Sequence, residues 1–166
     1  MASGNHKLTD TTGIRLKKDA FVVIVKTEWN DHVVSLLEEG CIKLLSENKI
    51  GYRVITVPGA FEIPFAIKHF WDTAEDLKPD AFIALGCVIR GDTPHFDYVC
   101  SGVTQGIMDL NISLPVPVLY GVLTVNNQLQ ADERTGGKHG HKGEECAAAA
   151  VKMIALSQSL KQKNDR

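Results

Sequence analysis

The chain has 166 residues, 44% of them hydrophobic, and its 18 basic and 20 acidic side chains leave a net charge of −2. This length suits one domain with a buried core, and the near balance of charge gives no electrostatic basis for binding nucleic acid. No apolar run approaches the roughly 18–20 residues of a membrane span, and the polar N-terminal residues do not resemble a secretory signal. We therefore expect no nucleic-acid partner and no membrane partner.

The first predicted elements are an irregular arm over residues 1–19 and then the start of a single domain over 20–166. FVVIVKT at 21–27 is a short, β-branched apolar run, which is typical of a fully buried strand. Asn30 or Asp31 can cap the helix that follows, in which apolar residues recur at helical spacing.

Further apolar runs alternate with helical segments along the rest of the chain. Strands are predicted at 52–57, 81–89 and 116–124, and helices at about 61–73, 94–112 and 126–135 and over the alanine-rich C-terminal segment. The alternation predicts an α/β protein, a flavodoxin-like three-layer α/β/α sandwich with a four-stranded parallel sheet. Ligands of such sheets bind outside the carboxyl ends of the strands, so the residues just after each strand are the candidates for function.

The four cysteines are scattered and form no CxxC pair: Cys41, Cys87, Cys100 and Cys146. Three of them lie among apolar neighbours. Buried thiols in a reducing compartment are the interpretation that fits this pattern, so we expect a cytoplasmic protein.

The segment GDTPH after the third predicted strand carries the signals of a helix start. Thr93 is a good N-cap, Pro94 suits the first helical position because it lacks an N–H, and Gly91 allows the turn. Free N–H groups at such an end favour a phosphate, which Asp92 opposes by its charge unless its side chain points away. His95 lies in the same turn, where an imidazole can exchange protons. An ordinary capped helix with an exposed histidine explains this segment equally well.

The other two strand ends carry an aromatic ring and a carboxylate. Trp29 follows the first strand and offers a face for a planar heterocycle, although core packing is the simpler explanation of that residue alone. In VPGAFEIP, the Pro58-Gly59 turn leads to Glu62, which can accept hydrogen bonds from ligand hydroxyls, or can merely complement a helix dipole. Together the three ends fit a site for one planar polar ring and one small phosphate ester.

Other chemistry-bearing motifs are weaker. No GxxxxGK[ST] sequence exists, which argues against a nucleoside triphosphatase, and no Ser-His-Asp or Cys-His signature stands out. GGKHGHKG at 136–143 has two histidines, but a metal site would need further acidic or thiol ligands nearby. A flexible cationic loop is therefore predicted there, without a metal.

Three segments, VPGAFEIP, GCVIRGDTPHFDYV and ERTGGKHGHKG, resemble in their order and spacing the lumazine synthase family. The resemblance covers nearly the whole chain beyond the arm. It implies a transferase of riboflavin biosynthesis that condenses 5-amino-6-(D-ribitylamino)uracil with L-3,4-dihydroxy-2-butanone 4-phosphate. The products would be 6,7-dimethyl-8-ribityllumazine, phosphate and water. The resemblance implies no metal and no organic cofactor.

The resemblance also assigns roles to single residues. His95 matches the proton-transferring histidine of the family. The residues matched to substrate binding are Trp29 on the pyrimidine ring, Ala60, Phe61 and Glu62 on the ribityl chain, Val88, Ile89 and Arg90 at the pyrimidine edge, Asp92, Thr93 and Arg134 on the phosphate, with Lys138 as a helper, and Tyr120 in a neighbouring subunit's site. Asp92 and Tyr120 depart from the commonest family residues, and Trp29 stands where many members have Phe.

The resemblance also implies an oligomeric assembly. Family members form homopentamers, and some build closed icosahedral shells of sixty subunits, which the short connection at 135–145 favours here. A non-catalytic flavin-binding or shell-forming protein on the same fold is the main alternative. A phosphosugar isomerase of α/β class is the other.

Overall fold

The computed structural model of the chain describes residues 6–16 and 19–164. Four parallel strands form its main sheet, in the order β2-β1-β3-β4. Their bounds are β1 Phe21–Thr27, β2 Gly51–Val57, β3 Ala81–Ile89 and β4 Val118–Val125. The two central strands are the most apolar: residues 22–25 of β1 and 81–87 of β3 are buried, as strands covered on both faces should be.

Helices cover both faces of this sheet. α2 (Asp31–Glu47) and α6 (Lys142–Asn164) enclose one core, which includes Val22 and Ile24 of β1. α3 (Ile63–Thr73) and α4 (His95–Ser113) enclose the other, which includes Val23 and Val25. Successive side chains of a strand point to opposite faces, so one continuous apolar strand supplies both cores. The predicted three-layer α/β/α sandwich is confirmed.

Glycines let the helices α2 and α6 approach very closely. A β-carbon at Gly143 would lie 2.0 Å from the carbonyl oxygen of Leu37, and one at Gly40 would lie 2.2 Å from the imidazole of His141. Real β-carbons do not come so close to other heavy atoms, so neither position accepts a larger residue without a shift of backbone or ring. Small residues also fill the buried face of α6, among them Ala147, Ala148 and Ala150.

The segment after β4 differs from its prediction. The helix predicted over 126–135 is the shorter α5 (Gln128–Asp132), which Asn127 caps by accepting the N–H of Gln130 at 3.0 Å. The prediction of a flexible cationic loop is wrong, because β5 (Thr135–Gly137) and β6 (Gly140–His141) form an antiparallel hairpin. Positive φ angles at Gly136 and Gly140, which only glycine adopts freely, make this tight turn possible.

Helix and strand ends differ from the prediction by a few residues. The helix after β2 begins with a 3₁₀ turn, Ala60–Glu62, and β4 begins after Pro117, whose carbonyl accepts the N–H of Phe82. The arm contains one helical turn, α1 (His6–Thr9), while its residues 1–5 and 17–18 lie outside the described part of the chain. Among the described residues, no helix combines the length and apolar character that crossing a membrane requires.

Candidate active site

A cleft of about 630 Å³ lies at the carboxyl ends of β1, β2 and β3. Its walls include residues predicted from the sequence, namely Trp29, Ala60, Phe61, Glu62, Val88, Ile89 and His95. They also include residues that were not predicted to bind substrate, namely Asn30, Gly59, Cys87, Tyr98 and Val99. The cleft is where the parallel sheet places a ligand, and it joins the three predicted strand ends.

Trp29 presents its indole to this cleft rather than to the core. The side chain is 72% exposed, which excludes the core-packing explanation. Its backbone is nevertheless held on both sides, because its N–H donates to the carbonyl of Pro58 at 3.2 Å and its carbonyl accepts the Thr27 hydroxyl at 3.1 Å. A large ring on a fixed backbone suits stacking against a planar ligand.

The turn after β2 brings a carboxylate beside that indole. A β-carbon at Gly59 would lie 3.0 Å from Oε2 of Glu62 and 3.7 Å from Cδ1 of Trp29, so glycine leaves room for both groups. Gly102 of α4 likewise leaves room for the ring of Phe61, since a β-carbon there would lie 2.5 Å from that ring. The 3₁₀ turn therefore offers an acceptor and an aromatic edge along one side of the cleft.

The end of β3 supplies the facing wall. Val88 and Ile89 line the cleft, whereas Arg90 does not. The guanidinium of Arg90 donates from Nη2 to Oδ1 of Asp97 at 2.8 Å, and it lies 4.1 Å over the ring of Phe96. The hydrogen bond to Asp97 raises the pKa of Arg90 above its ordinary value. Of the three residues predicted at the pyrimidine edge, Val88 and Ile89 thus line the cleft, while Arg90 is hydrogen-bonded to the first turn of α4.

His95 is the first residue of α4, is exposed and lines the cleft. The prediction that Thr93 caps this helix is wrong: Pro94 occupies the N-cap position, and no side chain caps the first turn. The reason is that Pro94 already has a helical conformation, and its carbonyl accepts the N–H of Asp97 at 3.0 Å. Asp92 and Thr93 lie in the exposed connection before it, outside the lining of the cleft.

Cys87 lines the cleft in an environment that disfavours the thiolate form. Burial raises the pKa of Cys87 to about 11, so the thiol stays protonated at neutral pH. All four cysteines are free, and Cys41, Cys87 and Cys146 are buried while Cys100 is half-buried.

Tyr120, Arg134 and Lys138, the remaining predicted residues, do not line the cleft. The hydroxyl of Tyr120, in the edge strand β4, lies 3.0 Å from that of Thr104 on α4, and burial raises the pKa of Tyr120. Arg134 donates from Nη1 to the carbonyl of Gln130 at 2.8 Å, just before the hairpin, and Lys138 is exposed between the hairpin strands. The structure thus places Trp29 and His95, the candidates for ring stacking and proton transfer, in one cleft. It places Tyr120, Arg134 and Lys138 outside the lining of that cleft.

The two histidines of the hairpin have different neighbours. Nε2 of His139 lies 3.5 Å from a carboxylate oxygen of Glu133, whereas the ring of His141 packs on Gly40. Within residues 6–16 and 19–164, no three His, Cys, Asp or Glu side chains cluster as ligands for a metal ion.

Comparison with known proteins identifies the family. The family model described as 6,7-dimethyl-8-ribityllumazine synthase matches residues 19–158. The chain is 47% identical over 161 residues to the 6,7-dimethyl-8-ribityllumazine synthase of Porphyromonas gingivalis, covering 94% of this chain and 98% of that protein. It is 42% identical over 165 residues to the protein of the same name from Phocaeicola vulgatus, covering 96% of each chain. With its fold and its strand-end cleft, the chain therefore belongs to the 6,7-dimethyl-8-ribityllumazine synthase family.

Proposed function

We propose that this protein condenses 5-amino-6-(D-ribitylamino)uracil with L-3,4-dihydroxy-2-butanone 4-phosphate, as a transferase of riboflavin biosynthesis. The products are 6,7-dimethyl-8-ribityllumazine, phosphate and water, and the reaction is the penultimate step of that pathway. The observation that carries the proposal is one cleft that brings together the Trp29 indole, the Glu62 carboxylate and the His95 imidazole. Family membership supports the same reaction.

The pyrimidine substrate occupies the part of the cleft beside Trp29. Its ring stacks on the indole, and its polar edge meets the backbone of Val88 and Ile89 at the end of β3. The ribityl chain follows the turn at Ala60–Glu62, where the Glu62 carboxylate accepts from its hydroxyls. Placement between an aromatic face and a strand end orients the amine that has to react.

The phosphate ester occupies the open connection that precedes α4. A β-carbon at Gly91 would have no atom within 4 Å, so a small anion has room there, beside N–H groups of the first helical turn. Thr93 and the N–H of Asp92 are the nearest polar groups, and the carboxylate of Asp92 has to point away. Arg134 and Lys138 supply the positive charge.

The chemistry requires several proton transfers and the departure of one anion. The substrate amine attacks the ketone to give a carbinolamine and then an imine with loss of water. Phosphate leaves by elimination, and a second carbonyl condensation closes the ring with loss of a second water. His95 accepts and returns protons in these steps. Arg134 stabilises the departing phosphate through charge-assisted hydrogen bonds. Since amines condense with ketones without a catalyst, holding the two substrates together contributes at least as much as the base.

An absorbance assay for lumazine formation with both substrates tests the proposal. The expected result is product that requires both substrates and the folded protein. A non-catalytic flavin-binding or shell-forming protein would give none, and a phosphosugar isomerase would convert the butanone phosphate with no pyrimidine present. Either result would overturn the proposal.

We further propose that the site is completed between subunits of a homopentamer. Tyr120, Arg134 and Lys138 do not line the cleft of their own subunit, which is what a residue presented to a neighbour would show. Large apolar side chains are also left exposed on α3 and α4, including Phe65 at 72% and Ile112 at 81%, and a surface of this kind favours self-association. Residues 20–166 then act as one domain with 1–19 as its arm, and the free thiols favour the cytoplasm.

The assembly is expected to be a shell of sixty subunits, because the short hairpin carries no insertion before α6. Analytical ultracentrifugation near neutral pH should then show a particle of about 1.1 MDa, sixty times the 18.2 kDa chain. A species of about 90 kDa, five chains, would contradict the shell and keep the pentamer. A monomer of 18.2 kDa with full activity would contradict the shared site as well.

Riboflavin is expected to bind in the pyrimidine region of the cleft, because it shares the ribityl chain and Trp29 offers a wide face for its ring. Binding should quench riboflavin fluorescence, and Trp29→Ala should abolish the quenching. Trp71→Phe is the matched control, since Trp71 packs edge-on against Phe82 of β3 and does not line the cleft. Equal quenching by wild type and Trp29→Ala would show that the indole is not the stacking surface.

A further inference from the structure

Asn30 has a conformation and a hydrogen bond that the start of α2 does not require. Its φ of 58° and ψ of 39° lie in the left-handed region, which asparagine tolerates better than most residues that have a β-carbon. An asparagine at an N-cap ordinarily accepts an N–H of the first helical turn, but its side chain makes no such bond here. Its Nδ2 instead donates to the backbone carbonyl of Cys87 at 2.8 Å.

The Cys87 carbonyl needs this donor because β1 ends too early to supply one. β1 pairs with β3 only as far as Lys26 opposite Leu85, while β3 continues beside β4. The N–H of Arg90 donates to Val125 of β4. Backbone groups of successive residues in a strand point to opposite sides, so Cys87, three positions earlier, directs its carbonyl away from β4. On that side the pairing with β1 has already ended. A part-buried carbonyl left there without a partner is costly, and the amide of Asn30 takes the place of the missing strand.

The same turn carries the indole of the cleft. The backbone of Trp29 is bonded to Pro58 after β2 and to Thr27 at the end of β1. Neither bond reaches β3. Among the hydrogen bonds of the described residues, the one from the Asn30 amide therefore ties the Trp29 turn to the strand whose next residues, Val88 and Ile89, form the facing wall.

We infer that Asn30 is a positioning residue that sets the spacing between the Trp29 indole and the end of β3. The inference rests on the proposed function, since the pyrimidine ring is what this spacing receives. Asn30 acts through Trp29 and Val88 and takes no part in bond making. Its loss should weaken the binding of the pyrimidine more than that of the butanone phosphate.

Two variants separate the amide from the backbone conformation. Asn30→Gly keeps the left-handed conformation accessible and removes the donor, and Asn30→Asp keeps the side-chain size and replaces the donor by an acceptor. Both should raise KM for the pyrimidine on the order of 3- to 10-fold, the size of one lost hydrogen bond. KM for the butanone phosphate should stay within about twofold. In a Trp71→Phe background, which leaves Trp29 as the single tryptophan, both should lower its steady-state fluorescence anisotropy.

Lys49→Gly is the matched control. Lys49 has a φ of 56°, lies before β2 at the other end of the sheet and does not line the cleft, so this variant should change neither KM nor the anisotropy. An unchanged pyrimidine KM and anisotropy in folded Asn30→Gly or Asn30→Asp would overturn the inference. So would an equal rise in KM for both substrates, which indicates general loosening. If the wild type forms no lumazine, the proposed function fails, while the anisotropy, which needs no substrate, still decides the positioning.

Discussion

His95→Ala is expected to slow lumazine formation by about 10²–10⁴-fold and still leave measurable turnover. The imidazole lies at the start of α4 on the surface of the cleft, so its removal leaves the fold and the substrate-binding walls in place. The residual rate comes from the two bound substrates, because holding reactants together replaces a bimolecular encounter. Single-turnover rates at saturating substrate measure the effect directly.

The matched control is His32→Ala. His32 is exposed, hydrogen-bonds Gln128 at 2.8 Å and does not line the cleft, so its loss should leave the rate within about twofold of wild type. Undetectable product from folded, substrate-binding His95→Ala would refute this division between proton transfer and proximity. A rate equal to wild type would remove His95 from the chemistry altogether.

Arg134→Ala is expected to raise KM for the butanone phosphate on the order of 10- to 100-fold, the size of a lost charge-assisted hydrogen bond. KM for the pyrimidine should change by less than about threefold, because in the proposed site the guanidinium pairs with the phosphate of the other substrate. Arg134→Lys should recover part of the loss, since it keeps the charge and loses the planar fork. Arg53→Ala is the control, because Arg53 lies on the edge strand β2, over the ring of Phe70.

Equal rises in both KM values would instead assign Arg134 a structural role through its bond to Gln130. Mixing provides a separate test of the shared site. If His95→Ala and Arg134→Ala chains are dissociated, combined equally and reassembled, roughly a quarter of the sites should regain both native residues, because each comes from a different subunit. No recovery in mixed particles would place both residues in the same subunit's site.

Much of the fold was accessible from the sequence because the central strands are continuous apolar runs. The predicted bounds of β1 and β3 match the structure, and the location of the cleft followed from parallel strands that end at one edge. The hairpin was missed because its stability depends on distant contacts. The ring of His141 packs against Gly40 of α2, and no local pattern within GGKHGHKG predicts that contact.

The lining of the cleft was predictable where a side chain directly follows a strand, and less so where its position depends on distant parts of the fold. Trp29, Glu62 and His95 stand at strand ends and could be proposed from their chemistry. The hydrogen bond of Asn30 joins it to a carbonyl 57 residues away and depends on where β1 stops pairing, so local sequence signals indicated only a helix cap. Thr93 is the opposite case. The local sequence predicted it as the N-cap of α4, but Pro94 occupies that position in the structure.

The contact between α2 and α6 also determines which parts of the molecule can yield. His141 packs directly against Gly40, and Leu37 packs directly against Gly143. The helices α2 and α6 therefore cannot slide or rotate against each other without steric overlap, and this layer of the sandwich is expected to be rigid. The connection before α4 is packed less tightly, because a β-carbon at Gly91 would meet no atom within 4 Å. Substitutions around Gly91 are therefore expected to be tolerated more easily than substitutions at Gly40 or Gly143.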